Sequence, residues 1–97
     1  MMELTDGTRE RIKALYSDAY AGRVEALLLA RCGENLPLVK PSWDQLVERI
    51  RFAVLKLSKG SFEELEVHIG HANRDWRDVL VAAGFGDSLD AHKDWYP

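Results

Sequence analysis

The chain reads as an all-α protein, a compact bundle of about five helices in a single domain spanning residues 1–97. Three observations predict it. Apolar residues recur at gaps of three and four, no run keeps the two-residue alternation of a strand, and glycine or proline punctuation separates the periodic stretches. The most informative stretch is 61–86, where Phe62, Leu65, Ile69, Ala72, Trp76, Val79 and Ala83 share one stripe of a helix.

The first helical region runs from about Thr8 to Ala30. Ile12, Leu15, Tyr16 and Ala19 form one face, and Tyr20, Val24, Leu27 and Leu28 form another, turned by about a third of a circle. Gly22 is a poor helix former at the change of face, so a kink or short break is expected there. Gly33 closes the region, and 36–41, with Pro37 and Pro41, reads as a loop.

The second region, from Ser42 to Leu57, is the expected central helix. Ser42 with Gln45 makes a capping-box pattern, and Trp43, Leu46, Val47, Ile50, Ala53, Val54 and Leu57 follow at helical spacing. Phe52 and Leu55 lie about 180° and 120° round from Trp43. A helix apolar on two sides is either the centre of its own domain or half of an interface.

Ser61 with Glu64 repeats the capping box. Gly70 and Asn73 interrupt an otherwise in-phase stripe, and Asn73 suits an N-cap, so two helices are expected, about 62–70 and 74–83. Gly84 followed by Phe85 forms a Schellman-type stop with Leu80. A last short helix over 88–95 turns Leu89, His92 and Trp95 inward. The expected core is Ile12, Leu15, Leu27, Trp43, Leu46, Val47, Ile50, Val54, Leu57, Phe62, Leu65, Ile69, Trp76, Leu80 and Phe85.

Composition narrows the function classes. The net charge of −3 conceals an asymmetry: residues 1–60 carry ten Lys/Arg against eight Asp/Glu, and residues 61–97 carry three against eight. An acidic chain without a basic run is poorly suited to neutralising phosphates, so nucleic acid is an unlikely partner even though Arg74 and Arg77 lie on a short helix after Asn73. No apolar run approaches the ~20 residues of a membrane span. The opening Met-Met-Glu-Leu-Thr-Asp lacks the layout of a signal peptide, and the chain reads as cytoplasmic.

The only dense group of proton carriers or metal ligands is His68, His71, Asp75 and Asp78, which project together if 61–84 is one helix. Two imidazoles and a carboxylate at such gaps suit a divalent metal such as zinc. The favoured reading of the strip is a solvated polar face whose aspartates compensate the helix dipole, and a break at 70–73 dissolves the strip. Cys32 precedes Gly33 at a helix end, where the dipole disfavours a thiolate, and no glycine-flanked serine motif is present.

The reading that follows is a non-enzymatic helical module that binds another protein or a second copy of itself, with Phe52 and Leu55 as its contact surface and no cofactor. The alternative is a metal-binding protein or small metal-dependent enzyme using His68, His71 and Asp75, with Asp78 beside them.

Overall fold

A computed structural model describes residues 3–40 and 42–97. The elements run α1 (Asp6–Leu15), α2 (Asp18–Arg31), α3 (Asp44–Ser58), α4 (Phe62–Ala83) and a 3-10 turn over Ala91–Asp94. The architecture is all-helical as expected, with no strand among the described residues, and the fifth element is a single 3-10 turn rather than a helix. No helix is long and apolar enough to cross a membrane among the described residues.

The first region breaks six residues before the expected point. Tyr16 is extended (φ −122°, ψ 145°) and Ser17 is the N-cap of α2, while Gly22 lies inside α2. The cause is an anchor. The Tyr16 hydroxyl sits 2.8 Å from Ser58 Oγ and 3.0 Å from the Ser61 carbonyl, tying the α1–α2 turn to the α3–α4 turn. In that second turn Lys59 and Gly60 are both left-handed (φ 51° and 83°). A β-carbon on Gly60 would lie 3.0 Å from the Leu15 carbonyl oxygen, so the two turns pack backbone to backbone.

α3 is the central element, packed chiefly on α4 and also on α1 and the 3-10 turn. Its start differs from the capping-box expectation. Trp43, not Ser42, is the N-cap, no side chain caps it, and Gln45 instead donates to Asp90 Oδ1 at 3.2 Å. A tryptophan at this exposed first turn cannot turn fully inward, and Trp43 keeps 39% of its surface in solvent rather than joining the core.

Phe52 and Leu55 do not form an open contact surface, because both are buried, at 2% and 0% exposure. At Phe52 this second side of α3 is covered by the chain's own C-terminal segment. Trp95 and His92 meet the Phe52 ring at centroid distances of 6.1 and 5.1 Å, and the Arg11 guanidinium stacks 4.6 Å over it. Arg11 also donates to the carbonyls of Trp95 (3.2 Å) and Lys93 (3.4 Å), which pins the segment in place.

Of the expected core, Ile12, Val47, Ile50, Val54, Leu65, Ile69, Leu80 and Phe85 are buried, and Leu15, Leu27, Leu46, Leu57, Phe62 and Trp76 are partly so. Leu89 points outward, 66% exposed. The stop at Gly84 forms as the sequence predicts: Gly84 is left-handed and Phe85 N–H donates to Leu80 O at 2.8 Å.

His92 is fully buried. Its Nε2 lies 3.3 Å from Glu48 Oε2, and its Nδ1 has no partner among the described residues. The rings of Phe52 and Phe85 stand edge-on to it. Burial pushes its pKa down, the Glu48 carboxylate opposes this, and Arg49 and Lys93 add to the fall. Protonation would place a second N–H where no acceptor exists.

Two outcomes follow. Gly22→Ala should raise unfolding stability in urea by about 0.5–1 kcal/mol, because a β-carbon there meets nothing within 4 Å. The unfolded chain accepts a proton on His92 near pH 6.5, which the folded chain refuses. Stability is therefore intact above that pH and declines as pH falls through the lowered folded pKa. His68, also shifted down, acts with the same sign. Urea midpoints measured from pH 7.5 to 4.5 should show the decline, and His92→Gln should flatten it more than His68→Ala.

Candidate functional site

α4 carries the histidine and aspartate strip. Ser61 caps its start by accepting from Glu64 N–H at 3.2 Å, and Leu65, Ile69 and Ala72 bury the inner stripe. The helix is interrupted at Asp75, whose backbone is extended (φ −159°, ψ 99°). The break lies two residues beyond Asn73, outside the expected 70–73 window.

Asn73 is occupied differently. Its Nδ2 donates to the carbonyls of Arg31 and Ile69, both at 2.9 Å, and its Oδ1 accepts from Asn35 Nδ2 at 2.7 Å. That clamp joins the end of α2 to the middle of α4. Asp75 then starts the next helical segment, accepting from Arg77 N–H at 3.1 Å. Trp76 is held by its indole N–H on Pro37 O at 2.7 Å.

His68, His71, Asp75 and Asp78 all line one open groove of about 460 Å³, together with Leu57, Arg74, Val79 and Ala82. The two imidazoles stand edge to face with centroids 5.6 Å apart and planes crossing at 80°. His68 Nε2 is 3.6 Å from Glu64 Oε2. Burial lowers the pKa of His68, the adjacent His71 lowers it further, and Glu64 opposes both.

The carboxylates are placed less favourably. Asp75 is gripped through both oxygens by Arg77, at 3.0 Å each, and the hydrogen bonds from that side chain hold its carboxyl below the usual range. Among the described residues no three His, Cys, Asp or Glu side chains converge as a metal shell. The four-residue strip therefore reduces to a histidine pair with acidic neighbours.

Cys32 is buried, and burial lifts its thiol to about 12 against the opposing pull of Arg51. Burial thus disfavours the thiolate that nucleophilic attack requires.

A second cleft, of about 240 Å³, is lined by Trp43, Gln45, Leu46, Arg49 and Leu89. Its apolar wall is exposed at Trp43 and Leu89, and Lys40 Nζ lies 5.4 Å from the Trp43 ring centre. Arg49 is only 7% exposed; its Nη2 donates to Phe85 O at 2.7 Å, and its Nε is buried without an acceptor among the described residues. The neighbouring Asp90 is already paired to Lys93 at 2.9 Å and accepts from Gln45. The sequence held a signal for this cleft: Trp43, Leu46 and Arg49 follow at gaps of three on one helical face.

Comparisons with known protein families, with curated proteins and with solved structures give no match.

The capping role of Asp75 sets an expectation. Asp75→Ala should lower the melting temperature, because the second half of α4 loses its N-cap. Asp78→Ala should leave it unchanged. Equal melting of both variants by circular dichroism would show that the interruption needs no cap.

Proposed function

We propose that this chain is a non-enzymatic helical module that binds another polypeptide through the cleft of Trp43, Leu46, Arg49 and Leu89. One observation carries the reading. An exposed apolar wall of Trp43 and Leu89 stands beside Arg49, whose guanidinium is fixed by the Phe85 carbonyl.

Each part has a physical role in recognition. Trp43 and Leu89 offer apolar area that gains from losing contact with water, by roughly 25 cal/mol per Å². Arg49 is immobilised by the Phe85 carbonyl, so little entropy is lost when a further acceptor arrives. Lys40, over the Trp43 ring, adds positive charge to the wall. The segment that fits is a large apolar side chain flanked by carboxylates, and the cleft has room for one such anchor.

Selection of displayed random peptides on the immobilised protein tests this. Winning peptides should converge on an apolar residue beside Asp or Glu. Leu89→Asp, a substitution at an exposed position, should abolish their binding without changing the helical content. Winners that bind Leu89→Asp as tightly as the parent would remove the cleft as the docking site.

A further inference from the structure

The histidine pair on α4 supports a separate inference, independent of the cleft. We propose that His68 and His71 are half of a zinc-type metal site, which the same pair from a second copy of the chain completes.

The geometry is the first reason. With Zn–N bonds near 2.0–2.1 Å and tetrahedral angles, two imidazole rings on one ion have their centres about 5 Å apart. The His68 and His71 rings are 5.6 Å apart with planes crossing at 80°, so a small rotation of either ring brings both to one ion. They sit on consecutive turns of an unbroken helical stretch, since the interruption comes only at Asp75. The pair is therefore positioned before any metal arrives.

Ligand number is the second reason. No third His, Cys, Asp or Glu joins the pair among the described residues. Zinc of the structural kind takes four protein ligands. Two copies related by a two-fold axis would supply four imidazoles, and a two-fold contact uses the same patch on both. The pair is accessible for this: His71 is exposed, and His68 keeps a fifth of its side chain in solvent at the edge of the open groove.

Charge is the third: Asp75 and Asp78 line the same groove as the pair, with Arg74 as the one cation among its lining residues, so a metal ion brings charge of the sign the groove lacks. Glu64, 3.6 Å from His68 Nε2, is placed to hydrogen-bond a ligating ring and raise its basicity. Asp75 takes no part, because Arg77 holds it. Coordination uses the lone pairs of neutral imidazoles, and no other bond changes.

The test is a zinc titration of chelator-treated protein, followed by native mass spectrometry and sedimentation velocity. It uses the Leu89→Asp variant, so that association through the cleft is removed and the two readings fail separately. Zinc should double the mass, with one ion per two chains. His68→Ala and His71→Ala should each raise the zinc concentration needed by more than about tenfold, and Asp75→Asn should not. Zinc bound at one ion per chain without a change of mass, no zinc uptake, or a zinc dimer that survives in both histidine variants would overturn the proposal.

Discussion

The structure depends on three cations that α3 sends to the ends of its neighbours. Arg51 Nε donates to Cys32 O at 2.7 Å, closing α2. Lys56 Nζ reaches Ala83 O at 2.8 Å, closing α4, and Arg49 Nη2 reaches Phe85 O at 2.7 Å just past its Gly84 cap. Every helix ends in carbonyls that lack partners and carry the negative pole of its dipole. A charged donor at that pole forms a strong hydrogen bond and also offsets the dipole. Burying arginine is costly unless its donors are used, and Arg51 has further contacts to Glu3 O at 2.9 Å and elsewhere. The close approach explains Gly33, where a β-carbon would lie 2.8 Å from Arg51 Nη2. Removing the buried Arg51 would leave both a cavity and orphaned carbonyls.

Around that hub, polar clamps hold the turns rather than the helix faces. Tyr16 joins the α1–α2 turn to the α3–α4 turn, Asn35 and Asn73 join the end of α2 to α4, and Trp76 fastens to Pro37. Arg11 secures the C-terminal segment over Phe52. A small domain has little core to spare, so anchoring its turns limits the alternatives open to its short helices. The same clamps leave α4 free to present one face of its first half outward. That is where the histidine pair stands, while the Trp43–Leu89 cleft opens beside the start of α3.

The strip on α4 shows how far helical spacing reaches. Direction was legible: His68, His71, Asp75 and Asp78 do line a single groove. Availability was not, because Arg77 claims Asp75 through a contact that spacing alone does not single out. The expected break was also displaced. Asn73 has the chemistry of an N-cap, but the carbonyl of Arg31, far along the chain, recruits its amide, and Asp75 takes over the capping role. Phe52 and Leu55 fit the centre of the domain or an interface, with the centre favoured; both are core, and at Phe52 the C-terminal segment provides the cover.

By itself the sequence determined the helical class, the stripes of α3 and α4, the Ser61 cap and the Gly84 stop. These depend on residues within one or two turns of each other, where backbone geometry and side-chain spacing settle the outcome. Tertiary structure decided the break at Tyr16, the burial of Arg49, Arg51 and His92, and the exposure of Trp43 and Leu89. Each of these turns on a partner many residues away, such as Ser58 for Tyr16 or Cys32 for Arg51. Periodicity states which way a side chain points; whether it meets water, a carbonyl or a ring depends on the packing of the whole chain.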